Sequence, residues 1–169
     1  MPYQFIKEFE DNYETLYNEY LTVKNNAYPW PELDLHEGGW DVFGLYLGPE
    51  YKYVSGMPAG LDKLEADDCP FTRKLIKDNV PSHGTAGFSI LRGGSVILPH
   101  VGIESNYLRM HLGLKIPEGD TGLQVESYGT FKWEAGKAFY FKDNNLHSAW
   151  NKTDEDRVIF LLDFDPNTA

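Results

Sequence analysis

The chain has 169 residues, 26 acidic against 15 basic side chains, and a formal net charge of −11. That length suits one domain with a buried core, and the acidic balance excludes nucleic acid as the expected partner, because phosphates need a basic face. No window approaches eighteen apolar residues and no basic amphipathic stretch suits an anionic bilayer, so no membrane association is expected. The opening MPYQFIKEFEDNYETLY is too acidic for a signal peptide, and one cysteine, Cys69, cannot form an internal disulfide; both point to a reducing, cytoplasmic setting.

In chain order, Tyr13, Leu16, Tyr17, Tyr20 and Leu21 recur at three-to-four spacing and predict a helix within Pro2–Asn25. Pro29 and Pro31 of YPWPELD end it. The run GGWDVFGLYLG, Gly38–Gly48, predicts a first strand. A second helix is predicted over Leu61–Lys77, with Pro70 where a first turn tolerates it and the preceding Asp-Asp-Cys as candidate caps. Beyond Val80 the pattern changes to short aromatic or β-branched runs bounded by turn residues: 86–91, 95–98, 107–116, 122–127, 138–141, 147–151 and 157–165. Seven such strands predict a mainly β sandwich or jelly roll. The expectation is one domain over 1–169, with a helix-rich support over 1–80 and the jelly-roll core over 81–169.

Two of these strands carry chemistry. In Tyr107–Ile116, alternation puts Leu108, Met110, Leu112, Leu114 and Ile116 on one face, and Tyr107, Arg109, His111, Gly113 and Lys115 on the other. The simplest expectation for the second face is water. The last strand, RVIFLLDF, is apolar on both faces through its middle and is expected to be buried on both sides. Arg157 then sits at the mouth of a buried strand and needs an anionic partner. Asp154, Glu155 or Asp156 could supply it, and so could a small carboxylate inside the jelly roll. His100 and His147 each fall at the end of an apolar strand. A lone histidine is more often structural, but the pair suits iron, zinc, copper or nickel. The residue two past His100 is Gly102, where an acid would be expected of a metal site.

The segments PHVGIESNYLRMHLGLKIP, WEAGKAFYFKDNNLHSAWN and RVIFLLDF resemble the catalytic domain of the aspartyl/asparaginyl β-hydroxylase family, iron(II)- and 2-oxoglutarate-dependent dioxygenases on a double-stranded β-helix. The likeness runs from Gly39-Trp40 onward and is dense from Ser89. It implies that His100 and His147 ligate iron(II), that Gly102 stands where related oxygenases have an acid, and that water fills the vacancy. It implies that Arg109 and His111 orient the C1 carboxylate of 2-oxoglutarate, while Arg157 and Ser89 hold the far carboxylate. Trp40 resembles an aromatic position near the substrate. Glu104, four past His100, could reach the metal or a substrate amine. The implied reaction is O2-dependent hydroxylation of a carbon of an amino acid, peptide or protein side chain of Asp/Asn type, so a small-molecule or peptide substrate is the expected partner. A glycine in the acid's position also admits chloride, which makes halogenation the enzymatic alternative. A jelly roll that binds metal or 2-oxoglutarate without turnover is the non-enzymatic one. Cys69 reads as a small buried residue, and His36 and His83 read as solvated turn residues.

Overall fold

Two antiparallel sheets face each other, and three helices cover the outer face of the larger one. The computed structural model describes residues 3–51, 54–58, 60–61 and 64–168. Helices α1 (Phe5–Asp11) and α2 (Tyr13–Val23) precede two short strands, β1 (Tyr28–Pro29) and β2 (His36–Glu37). Strand β3 (Trp40–Tyr46) and helix α3 (Pro70–Asn79) follow. The remainder is β4 (His83–Leu91), β5 (Ser95–His100), β6 (Leu108–Lys115), β7 (Thr121–Val125), β8 (Gly129–Phe131), β9 (Ala138–Phe141), β10 (His147–Asn151) and β11 (Arg157–Phe164). The larger sheet runs β1-β3-β4-β11-β6-β9 and the smaller β2-β5-β10-β7-β8. This is a mainly β, double-stranded β-helix with its helices at the N-terminal side of the sequence.

Side-chain alternation sorts two cores. Phe88 and Ile90 of β4, Met110, Leu112 and Leu114 of β6, and Val158, Phe160, Leu162 and Phe164 of β11 point outward to meet Phe5, Ile6, Phe9, Leu16 and Tyr20 of the helices. Phe9 stacks on Phe160 with ring centroids 5.5 Å apart. Leu91, Ile159, Trp40, Ile97, Leu123 and Trp133 fill the space between the sheets. The opposite face of β6 is therefore shielded from bulk water except at its end, where Lys115 is exposed. Arg109, His111 and Gly113 turn into the jelly-roll interior and are buried, because the second sheet covers that face.

Several local expectations change. The first helix is two, divided at Asn12, whose backbone leaves the helical region (φ −113°, ψ 16°). Val23 is buried in the helical stripe, whereas Leu21 is exposed. The second helix begins only at Pro70; residues 64–69 are not helical, and positions 62 and 63 lie outside the described residues. No side chain of the Asp-Asp-Cys run caps it. Glu19 of α2 does so instead, accepting the backbone N–H groups of Phe71 (3.0 Å) and Thr72 (2.7 Å). A cap of this kind contributes about 1 kcal/mol, and here it also ties α3 to α2. Asp68 pairs with Arg73. Strand β8 was not expected, since its three residues carry no apolar alternation. Among the described residues no helix is long and apolar enough to cross a membrane.

Candidate active site

His100 ends β5 and His147 begins β10. The two strands pair antiparallel with these residues directly opposite, and the ring centroids lie 4.4 Å apart. Each Nδ1 is 2.7 Å from a backbone carbonyl, Leu98 O for His100 and Asn145 O for His147. A carbonyl only accepts, so each ring carries a proton on Nδ1, and the neutral form of each keeps its lone pair on Nε2. Burial pushes the His147 imidazole below its ordinary value, against the opposing pull of Asp143. It is therefore neutral at pH 7 and free to bind a cation. Both rings line a cavity of about 100 Å3 between the sheets.

The place beside Gly102 is taken. Asp143, on the β9–β10 connection, accepts the Gly102 N–H on its backbone oxygen at 3.0 Å. A β-carbon on residue 102 would overlap Asp143 Oδ2 and lie 2.7 Å from its Cγ. The absent side chain at 102 makes room for a carboxylate arriving from another segment. Asp143 Oδ1 lies 3.2 Å from His147 Nε2 and accepts a hydrogen bond from Arg109 Nη1 at 3.0 Å. With the His147 proton on Nδ1, a lone pair and a carboxylate oxygen face each other, an arrangement that a cation relieves. Among the described residues no group of three or more His, Cys, Asp or Glu side chains is arranged to hold a metal ion. Two imidazoles with Asp143 against one of them are what the site offers.

Arg157 is enclosed and not at a mouth: it is 1 % exposed. None of the three nearby acids pairs with it, and Asp156 is held by Arg92 at 2.8 Å. Its Nη2 donates to Ser89 Oγ at 2.8 Å and its Nε is buried with no partner. Its Cζ sits 4.5 Å over the Trp133 ring. Burial lowers the guanidinium to about 9, so it is charged at neutral pH without a counter-ion among the described residues. An unpaired buried charge is costly, and the remedy here is a ligand anion. Ser89 Oγ also accepts from Trp40 Nε1 at 3.0 Å. Both lone pairs of that hydroxyl are thus occupied, which leaves its own proton to donate.

Trp133 serves this cradle twice. Its Nε1 donates to His111 Nδ1 at 3.2 Å, so the His111 proton is on Nε2, the other edge of the ring. Burial first, then the charges of Arg157 and Arg109, hold His111 well below its ordinary value. It is a neutral N–H donor in the cavity wall. Gly113 of β6 admits the Trp133 turn: a β-carbon there would stand 2.6 Å from the Glu134 carbonyl carbon.

Arg109 is placed differently from the expectation of a free carboxylate-orienting group. Its Nε and Nη2 grip Asp163 (2.7 and 2.9 Å), Nη2 also donates to Tyr51 Oη (2.9 Å), and Nη1 holds Asp143. Four of its five N–H groups are committed to the protein, and one remains. Glu104 is exposed and does not line the cavity, because the chain turns outward after Ile103. Trp40 lines the cavity, but its indole N–H is committed to Ser89. His36 and His83 are half-buried instead of solvated. His36 packs edge-on to Trp40, and His83 edge-on to Tyr46. Cys69 is buried, and its thiol is pushed up to about 12 by burial. Sequence reasoning missed Asp143, Asp163, Tyr51 and the role of Trp133. Only Asp143, four before His147, and the Trp-x-x-Gly run offered any signal.

A double-stranded β-helix with paired imidazoles beside a buried anion seat is the build of a jelly-roll enzyme. The chain belongs to the aspartyl/asparaginyl beta-hydroxylase family, whose model matches residues 10–166. It is 38 % identical over 97 residues to an ornithine lipid ester-linked acyl 2-hydroxylase of Rhizobium tropici, covering 57 % of this chain and 34 % of that protein. It is 28 % identical over 164 residues to the Homo sapiens aspartyl/asparaginyl beta-hydroxylase, covering 95 % and 21 %. It is 31 % identical over 182 residues to the Homo sapiens aspartate beta-hydroxylase domain-containing protein 2, covering 97 % and 45 %. The chain thus spans less than half the length of these relatives.

Proposed function

We propose that the protein is an iron(II)- and 2-oxoglutarate-dependent oxygenase that uses O2 to hydroxylate a carbon of a small-molecule or peptide substrate. The observation that carries the reading is Arg157: a buried, charged guanidinium with an unpartnered Nε, beside a donor hydroxyl and on the same cavity as two histidines with outward lone pairs. The donor set suits iron(II), since neutral imidazole is a good ligand for it and the Asp143 carboxylate adds compensating charge. The chemistry that iron supplies when held by His100 and His147 is activation of O2, coupled to decarboxylation of 2-oxoglutarate to succinate and carbon dioxide.

The chain's own residues divide the remaining work. Arg157 and Ser89 hold the far carboxylate of 2-oxoglutarate, one by charge and one by its free proton. His111 presents Nε2–H to the near carboxylate. Arg109 acts mainly as a positioning residue: it clamps Asp163 and Tyr51 and aims Asp143, with one N–H left for the ligand. Asp143 places a negative charge next to His147, where it would balance the charge of a metal held by the histidine pair. The same carboxylate is a fixed negative charge beside the histidine pair and repels chloride, which favours hydroxylation over halogenation. A cytoplasmic setting belongs to this proposal, supported by the lone buried Cys69.

Stripped of metal and resupplied with iron(II) and 2-oxoglutarate in air, the protein converts 2-oxoglutarate to succinate in excess over a metal-free control, and His100→Ala and Arg157→Met each remove the excess. Iron-independent succinate, or none under any condition, overturns the proposal.

A further inference from the structure

Between β1 and β2 the chain crosses from the larger sheet to the smaller one. Three residues of this crossing, Trp30, Glu32 and Leu35, line the cavity that holds His100 and His147. The crossing is pinned at several points. The Trp30 N–H donates to the Trp40 carbonyl at 2.9 Å, and the two indoles stack with ring centroids 4.9 Å apart. Trp40 in turn donates to Ser89 of the anion seat at 3.0 Å. The Leu35 N–H donates to the Glu32 carbonyl at 3.0 Å, and Trp30 Nε1 donates to Glu32 Oε1 at 3.2 Å. The half-buried Glu32 carboxylate is therefore held in place by one oxygen, and among the described residues no cation pairs with it.

The charges of the site single this carboxylate out. Among the described residues, the charged side chains that line the cavity are Arg109, Arg157, Asp143 and Glu32. Arg109 is also gripped by Asp163, so the two guanidinium charges are equalled by Asp143 and Asp163. Iron(II) and the two carboxylates of 2-oxoglutarate cancel as well when the imidazoles are neutral. Glu32 is the charge left over, and a carboxylate partly withdrawn from water favours a cationic partner. The rings of Trp30 and Trp40 beside it attract cations too. A guanidinium pairs best with both oxygens of a carboxylate, and the Trp30 indole already occupies one. An ammonium, a compact donor, suits the single oxygen that remains.

We propose that Glu32 determines specificity by receiving a primary ammonium group of the substrate, so that the preferred substrate is a cationic amine. The assignment rests on reading the cavity as the oxygenase site. The ammonium could be the α-amine of an amino acid or the side-chain amine of a basic residue.

The test titrates two pairs of probes into the full chain loaded with zinc(II) and 2-oxoglutarate and follows binding by calorimetry. Asparagine amide against succinamide, its desamino analogue, reads an α-ammonium. N-acetyllysine amide against N-acetylnorleucine amide, again the desamino analogue, reads a side-chain one. In one pair the ammonium probe binds about tenfold tighter than its analogue, and which pair does so identifies the source. Glu32→Gln keeps an acceptor for Trp30 and removes only the charge. It brings that ratio close to one by weakening the ammonium probe alone, and Glu32→Lys makes the desamino analogue the tighter ligand. No ammonium preference in either pair overturns the assignment, and so does a preference that survives Glu32→Gln, which would place the amine elsewhere. If 2-oxoglutarate fails to bind the zinc(II)-loaded protein while the preference and its loss in Glu32→Gln persist, the oxygenase reading falls and the ammonium seat stands.

Discussion

Gly102 and Asp143 share one place in the fold: the Asp143 carboxylate lies where a side chain at 102 would begin, and the Gly102 N–H donates to the Asp143 carbonyl. The acid missing from the β5–β6 connection is thus matched by one on the β9–β10 connection. Asp143→Asn is expected to weaken zinc(II) or iron(II) binding by about 10–100-fold, the usual effect of losing a group that orients metal ligands. Gly102→Ala displaces the same carboxylate and weakens binding in the same direction, while Gly102→Asp combined with Asp143→Gly recovers part of it. Competition against a chelating dye measures all three. Unchanged affinity in Asp143→Asn would separate that carboxylate from the metal.

Arg157 trades stability for binding. Without a ligand its charge is buried and lacks a counter-ion among the described residues, held only by Ser89 and the Trp133 face. Arg157→Met removes that charge at similar volume. The ligand-free variant is expected to be more stable by about 1 kcal/mol in urea unfolding, and 2-oxoglutarate no longer stabilises it. A loss of several kcal/mol would mean that the guanidinium is already compensated within the protein.

Arg109 makes the opposite prediction. It is buried and paired with Asp163 through two parallel hydrogen bonds, so Arg109→Met takes the guanidinium away from a buried carboxylate and costs about 3–5 kcal/mol. Arg109→Met with Asp163→Leu recovers much of that loss. A double-mutant cycle by urea unfolding reads the coupling; additive losses would mean that the two residues act independently.

How far the sequence reaches is clear from individual residues. The alternation in β6 separated Met110 and Leu112 from Arg109 and His111, because one strand face is a local property. The two-sided apolarity of β11 pointed to Arg157 as a charge in need of an anion. Alternation alone leaves the β6 polar face open to water or to a ligand, and it is the covering second sheet that buries Arg109 and His111. Asp143 beside Gly102, and Glu19 capping α3, are contacts between distant segments, and no spacing rule registers them. Arg109 was placed by its strand face, but its occupancy by Asp163 depends on the β6–β11 register.

Acid should weaken the metal-free fold in a defined window. Burial holds His111 and His147 below the ordinary value of 6.5. Below pH 6.5 the unfolded chain takes up protons that the folded chain refuses, so stability falls as pH drops. Each group contributes at most about 1.4 kcal/mol per pH unit. Urea unfolding at pH 7.5, 6.5 and 5.5 measures the slope, and His111→Asn, which keeps an acceptor for Trp133, makes it shallower. A slope that ignores His111→Asn would remove that residue from the effect.

The central claim is that the histidine pair and the Arg157 seat act on one bound molecule. Anaerobic titration of the protein with iron(II) and then 2-oxoglutarate tests it most directly, by the visible charge-transfer band of a 2-oxo acid bound at iron. The account predicts a saturable band in the unaltered protein, its loss in His100→Ala and His147→Ala, and a much weakened 2-oxoglutarate affinity in Arg157→Met. A protein that shows no band, or one whose band and affinity are indifferent to Arg157→Met, would contradict it.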